Sequence, residues 1–336
     1  VKAWQIVSDG GVDALRLAQA DMPEPGPGEV RVRMRANAIN FRDLATIEDP
    51  VARGLPYPTV PNSDGAGEIS AIGPGVAGWT VGDRVTSCFF SDWEAGACSP
   101  AAMASALGGA RPGVLAEEIV LPARGVLPIP GDLSYAEAAC LPCAALTAWH
   151  ALTRPRAVAA GETVLLLGTG GVSVFAQQFC AVMGARTIAT SSSDGKLERM
   201  RGLGAAGAVN YRATPDWDRA VLDLTDGRGV DRVIEVGGAG TLQKSIEAVR
   251  VGGVIALIGI LTGTAGQVAP IGLMRKSITL RGIYVGSRSM FREMNRAIAE
   301  HGLRPVIDRE VAFASAPDAY RAMRAGDHFG KIAIRI

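Results

Sequence analysis

Apolar and polar positions follow two different patterns along this chain. Over residues 1–122 the apolar residues come in short runs and alternations punctuated by glycine and proline. Lys2–Val7 and Ala14–Ala18 flank a Gly10–Gly11 turn, and Val30–Ala36 alternates apolar with basic residues, the period of a half-exposed strand. Phe41–Glu48 reads as one or two helical turns. Val60–Arg84 carries Gly65, Gly67, Gly73, Gly75, Gly78 and Gly82, which predicts short strands in a small barrel. Gly96–Gly113 reads as a long loop of small residues, of a kind that is often functional or mobile, and Ala116–Leu121 returns as a strand.

From residue 123 helices alternate with continuous apolar runs. A helix over Tyr135–Leu152 leads to a strand over Thr163–Leu167, and further strands are predicted at 187–190, 208–210, 230–235, 254–258 and 278–283. Helices lie between them, around 197–203, 217–225 and 242–249. This alternation predicts a doubly wound parallel sheet. After Gly286 a helix over Met290–Glu300 and a strand over Lys331–Ile336 resume the first pattern. The fold class is therefore α/β. A β-rich domain, 1–122 and 288–336, is split around an inserted Rossmann domain, 123–287.

The junction after Thr163–Leu167 carries chemistry. The apolar run feeds into Gly168, Thr169, Gly170, Gly171 and Val172, and a helical pattern over Val174–Met183 closes at Gly184. A second apolar run, Arg186–Thr190, follows about 20 residues after the first glycine. Strand, glycine turn, helix and strand in this order form a dinucleotide site. The glycines permit a tight turn and let the backbone approach a pyrophosphate at the helix N-terminus. Ser173 stands where a third glycine is usual.

A carboxylate ending the second strand would bond the adenosine ribose and repel a 2′-phosphate. Here Ser191 stands at that end, followed by Ser192 and Ser193, with Lys196 close by. Hydroxyls and an ammonium suit a phosphate, and Tyr211 and Arg212 after the third strand complete the pocket, so NADP(H) is expected. Asp194 reads as the N-cap of the next helix, facing away. The competing reading of Lys196 is a solvated helix lysine. Val236–Gly238 and Ile258–Ile260, Gly237 and Gly259 among them, follow the fourth and fifth strands and line the same groove.

Composition narrows the partners. The chain has 34 basic and 33 acidic residues with no basic block, so nucleic acid and anionic membranes are not expected partners. The longest apolar stretches fall short of the roughly 20 residues that span a bilayer. The five cysteines are odd in number and scattered, and no secretion signal precedes the first strand, so a reducing cytoplasm is expected. Cys140-Leu-Pro-Cys143 lies in an Ala-rich helical pattern and reads as buried helix cysteines rather than a redox or metal pair.

PGPGEVRVRMRANAIN (25–40), VPNSDGAGEISAIGPGV (60–76), VGDRV (81–85), LTAWHAL (146–152), GAAGAVNYR (204–212) and FGKIAIRI (329–336) together resemble the medium-chain dehydrogenase/reductase family over essentially all of the chain. The resemblance implies a GroES-like catalytic domain, a Rossmann domain, hydride transfer in the cleft between them, and a homodimer paired through the strand at 277–285. It also exposes departures. Zinc members take a Cys, the His of Gly-His-Glu and a later Cys as catalytic ligands. Here those positions hold Asn40, Ser63 and Cys143, one thiol where zinc needs three protein ligands, and the four-cysteine structural lobe is absent. His150, His301 and His328 occupy no ligand position. No metal is expected, and the pattern is that of the quinone-oxidoreductase-like and enoyl-reductase-like branch.

That branch implies NADPH-dependent reduction of an activated double bond, enone or quinone. Tyr57, in Leu55-Pro-Tyr-Pro58, is the candidate acid or oxyanion donor, or else packs the loop. Asn40 would hold the substrate oxygen or the cofactor ribose, or else cap a loop. Asp43 reads as a structural partner of Arg42 or Lys331. Thr147 would contact the nicotinamide, and Lys331 would meet the cofactor phosphates. Phe89, Phe90 and Trp93 form either a substrate wall or ordinary core. Three alternatives stand: a metal-free alcohol or aldehyde dehydrogenase, a non-catalytic NADPH-binding protein, and a zinc enzyme with unusual ligands.

Overall fold

The computed structural model describes all residues, Val1–Ile336. It divides into two compact units, Val1–Leu146 with Val285–Ile336 and the inserted Thr147–Tyr284.

The β-rich unit begins with the antiparallel pair β1 (Lys2–Ile6) and β2 (Leu15–Gln19). It continues with β3 (Glu29–Ile39), β4 (Asp64–Ile72), β5 (Arg84–Ser87), β6 (Glu118–Pro122) and β7 (Val126–Pro128). The inserted unit contains β8 (Thr163–Leu167), β9 (Arg186–Ser191), β10 (Gly207–Asn210), β11 (Val230–Glu235), β12 (Val249–Leu257) and β13 (Thr279–Gly282). The chain then returns to the first unit with β14 (Ile307–Ala312) and β15 (Lys331–Arg335).

In the β-rich unit the strands run in the order β14-β15-β3-β4-β5-β7, with β6 also paired to β3. Strand β3 is the spine, and its sequence explains why. Val30, Val32 and Met34 are buried, while the intervening Arg31, Arg33 and Arg35 reach Glu24, Glu118 and Glu68. Trp4, Ile6, Ile39, Ile47, Ile332 and Ile334 form a second cluster with the buried Tyr320. Tyr320 lies on a helix, Ala316–Ala325, that the sequence reading left unassigned, as it did β7, β14 and the short helix Ile271–Arg275.

The expected insertion is present, but its first boundary lies at 146 rather than 122. Residues 123–146 remain with the β-rich unit because β7 pairs with β5, and Tyr135 donates its hydroxyl to Glu68 on β4 at 2.6 Å. The predicted helix 135–152 is interrupted by a π turn at Leu141–Ala145, where Pro142 has no N–H to give to the ladder. The loop 96–113 contains a short helix, Pro100–Met103, and its end is tightly packed. The Gly113 amide donates to Val60 O at 2.7 Å, and a Cβ on Gly113 would lie 2.1 Å from Pro61 O.

In the inserted unit all pairings are parallel, in the order β10-β9-β8-β11-β12-β13. The chain winds outward from β8 through β9 and β10, then crosses to β11 and winds the other way. The order reverses between β8 and β11, and ligands of such sheets bind outside the carboxyl ends at that point. Every residue of β8 and of β11 is buried, as a sheet covered on both faces requires, although β11 carries Asp231, Arg232 and Glu235 among its apolar residues. No helix in the structure is long and apolar enough to cross a membrane.

Candidate active site

The carboxyl end of β8 turns sharply into the helix Gly171–Val182. Gly168 adopts φ +71°, a conformation that side chains disfavour, and its amide donates to Thr190 Oγ1 on β9 at 3.3 Å. Gly170 precedes the helix, and a Cβ there would meet nothing within 4 Å. The backbone is therefore bare on the side an anion would approach. Ser173 explains the missing third glycine: it is buried, and its hydroxyl donates to Leu167 O at 2.7 Å, so it bonds the helix to the strand instead of merely allowing close packing.

At the end of β9, Ser191 is buried, and its Oγ accepts the Ser193 amide at 3.3 Å. Ser193, not Asp194, caps the helix Asp194–Gly202, accepting from the Lys196 amide. Asp194 is the first residue of that helix and bonds the side-chain amide of Asn210 at 2.8 Å. The sequence assignment of the cap is thus corrected by one residue, because Ser193 has the extended backbone a cap needs. Tyr211 is half exposed, and its amide donates to Ser191 O at 3.0 Å, which ties the ends of β9 and β10 together. Ser192 and Lys196 are partly buried beside them, and Thr169 is buried.

Across the switch point, Val236, Gly237, Ile258 and Gly259 form the loops after β11 and β12. Sequence reasoning missed the residue that builds this wall. Glu235, the buried last residue of β11, accepts the amides of Gly237 at 2.8 Å and Gly238 at 3.0 Å and the Thr241 hydroxyl at 2.6 Å, and it also accepts the Ser245 hydroxyl.

The β-rich unit has a different kind of centre, made of buried charges. Asn40 precedes the helix Phe41–Glu48, and its backbone amide donates to Asp43 Oδ2 at 2.8 Å. Arg42 bonds Asp43 at 3.1 Å and the carbonyls of Leu107 and Gly108 at 3.0 Å, which anchors the loop. Lys331 is 2 % exposed, and its ammonium donates to Ile39 O at 2.8 Å and Asn40 Oδ1 at 2.6 Å and lies 3.9 Å from Asp64. Asp64 also accepts the Ser63 hydroxyl at 2.6 Å and the amide of Cys143, a residue of the π turn, at 3.2 Å. Burial pushes the Asp64 carboxyl up to about 6, Lys331 opposing this and Asp43 adding to it.

Two family models match the chain: "Alcohol dehydrogenase GroES-like domain" over residues 26–131 and "Zinc-binding dehydrogenase" over residues 171–300. A zinc-type alcohol dehydrogenase-like protein of Schizosaccharomyces pombe is 40% identical, covering 97% of this chain and 96% of that protein. The chain belongs to the medium-chain dehydrogenase/reductase family. A 2-haloacrylate reductase of a Burkholderia species is 30% identical over 92% of this chain and 87% of its own. A solved NAD-dependent alcohol dehydrogenase superposes with TM-score 0.91 at 34% identity, covering 100% of both chains. This medium-chain dehydrogenase/reductase is accordingly an α/β oxidoreductase with a GroES-like and a Rossmann unit.

Zinc does not fit the residues at the ligand positions of this family member. Asn40 Oδ1 accepts from an ammonium, Ser63 Oγ donates to Asp64, and burial pushes the Cys143 thiol well above its ordinary range. No group of three or more His, Cys, Asp and Glu side chains is assembled that could hold a metal. Cys140 lies beside Cys143 in the buried helical segment, as the sequence suggested, and its thiol is pushed up to about 12 by burial.

A nicotinamide dinucleotide, by contrast, fits the bare Gly170 backbone, the helix N-terminus beyond it and the switch point. Two expectations about the β-rich unit are corrected. Lys331 does not present its ammonium to phosphates, because three buried oxygens hold it. Asn40 does not offer its side chain to substrate or ribose, because Lys331 takes the oxygen and Asp43 takes the amide at 3.2 Å. Phe89, Phe90 and Trp93 are buried core stacked edge to face, not a substrate wall. Tyr57 is 41% exposed, and Thr147 is buried in the helix Leu146–Thr153. His150 is buried 3.4 Å from Arg281, and His301 is exposed at a helix end.

Proposed function

We propose that this protein is a zinc-independent, NADPH-dependent oxidoreductase that reduces an activated carbon–carbon double bond or a quinone. The observation that carries the reading is the set of ligand positions whose polar atoms are engaged by Lys331 and Asp64. A simple ketone without a Lewis acid needs another strong electrophile, whereas a conjugated acceptor spreads the developing charge onto its own oxygen. The 2-haloacrylate reductase similarity supports an activated double bond.

Gly168, Gly170, Gly171 and Val172 hold the pyrophosphate, and Ser191, Ser192, Lys196 and Tyr211 take the adenosine 2′-phosphate. When bound, the reduced nicotinamide supplies the hydride. Tyr57 donates the proton or hydrogen bond that receives the developing oxyanion, and Thr147 lies against the nicotinamide. Burial, followed by Asp9 and Asp49, raises the Tyr57 phenol above its ordinary value, so it remains the acid at neutral pH. A second reading, NAD linkage, draws on the Asp194 carboxylate near the end of β10 and on the NAD-dependent neighbour.

The open edge of β13, with Val251, Met274, Leu280 and Tyr284 exposed, supports pairing with a second copy, and a monomeric mass by light scattering would refute it. Five unpaired cysteines, four of them buried, support a cytoplasmic setting. The functional test is NADPH oxidation with enones, enoyl thioesters and quinones. Tyr57→Phe is expected to lower kcat ~100-fold with NADPH affinity unchanged. Tight NADPH binding without turnover of any acceptor would overturn the enzymatic reading.

A further inference from the structure

The wall after β11 is built more elaborately than a connection between a strand and a helix requires. One buried carboxylate, Glu235, accepts four hydrogen bonds within the next ten residues, from two glycine amides and two hydroxyls. Its carbonyl also accepts the amides of Ile258 at 2.8 Å and Gly259 at 3.2 Å, so one residue holds the loops after β11 and β12. The two loops meet at backbone distance at Gly259, where a Cβ would lie 2.2 Å from Val236 O; within the first loop a Cβ on Gly237 would lie 2.2 Å from the Thr241 hydroxyl. The Thr262 hydroxyl closes the arrangement, donating to Gly237 O at 2.9 Å and accepting the Gly240 amide at 2.8 Å.

Glu235 ends the strand that borders the switch point, and it opens the β11–β13 half of the sheet. In a doubly wound sheet each half takes one mononucleotide of a dinucleotide. The serine end of β9 assigns the adenosine side to the β8–β10 half, which leaves the other half to the nicotinamide nucleotide. We infer that Glu235 is a positioning residue for the nicotinamide half of the crevice. It touches no ligand itself, but its carboxylate fixes the shape of the backbone wall that does. A glutamine in its place has a single acceptor oxygen and adds two donors, so it cannot receive all four hydrogen bonds. This inference rests on the nicotinamide reading.

The test is a fluorescence titration of the full chain with NADPH and NADH, and with the adenosine fragment of whichever binds, 2′,5′-ADP or ADP. Glu235→Gln is expected to weaken dinucleotide binding ~tenfold and to leave fragment binding within about twofold, a split that general loosening of the unit would not produce. Ser245→Ala and Thr241→Val, each removing one hydroxyl donor, are expected to show the same split with smaller losses, and they carry the test should Glu235→Gln not fold. Unchanged dinucleotide affinity, or equal losses for dinucleotide and fragment, would overturn the inference while the nicotinamide reading stands. Failure of the wild type to bind either dinucleotide would remove that reading and the inference with it.

Discussion

The two units each bury an aspartate among cations, and they hold those aspartates in opposite states. In the inserted unit, Asp231 is bonded by Arg228 at 2.5 Å, Arg250 at 2.6 Å and the Thr163 amide at 2.8 Å. Burial raises its carboxyl, but these donors outweigh burial and hold it at about 2. In the β-rich unit, Asp64 has one ammonium, 3.9 Å away and already bonded to two other oxygens, and burial wins. Direct charge-assisted hydrogen bonds offset desolvation, while a cation one step removed does not. The first arrangement fastens the start of a sheet. The second leaves a soft, titratable centre beneath the residues where zinc relatives carry their metal.

The largest expected effect tests that centre. Lys331→Met leaves Asn40 Oδ1 and Asp64 without their buried cation and is expected to cost about 3–5 kcal/mol in thermal or denaturant unfolding. A loss below about 1 kcal/mol would mean that the ammonium is not what holds the cluster together.

Next comes Gly170→Val. Its Cβ points into open space, so the melting temperature should be unchanged, while NADPH binding should fall ~100-fold, about 2.7 kcal/mol, through the lost approach to the pyrophosphate. A comparable loss of stability would show that the turn, not the ligand surface, was disturbed.

The pH dependence sharpens the contrast of the aspartates. Asp64 has a folded value near 6 against an ordinary value of 3.8, so it binds more protons folded than unfolded between those values. Its contribution is therefore complete below about pH 4 and is lost as pH rises toward 6, by at most about 3 kcal/mol. Asp231 is depressed and acts with the opposite sign, adding stability as pH rises from about 2 to 4. Unfolding free energies of wild type and Asp64→Asn at pH 4 and pH 7 should differ in slope, the variant being flatter. Parallel slopes would remove Asp64 from the account.

The smallest effect concerns specificity. Ser191→Asp should weaken NADPH ~tenfold and reverse the preference toward NADH in a fluorescence titration. A wild type that already prefers NADH would favour the Asp194 reading over the serine pocket.

Much of the inserted unit was legible because its determinants are local. Gly168, Gly170, the apolar run of β8 and the serine end of β9 lie within one strand–helix–strand stretch, so period and turn chemistry identify them. Strands β8 and β11 were read with their observed limits. In the sequence Glu235 reads as one more strand residue, since only the folded loop displays four donors around it. The β-rich unit was less legible. Asn40 and Lys331 are 291 residues apart in sequence, and the family motif drew attention to them as ligand contacts while the fold bonds them to each other. Tyr320 gave no signal, although it donates to Asn62 beside Ser63 and Asp64.

By itself the sequence determined what short-range periodicity and glycine geometry can encode: the α/β class, the β-rich unit split around a parallel sheet, and the glycine turn that leads from β8 into its helix. The tertiary structure decided which polar side chains are spent on one another. That choice depends on which sequence-distant groups lose their water together, and a buried ammonium, carboxylate or amide must then find its partner wherever the fold has brought one.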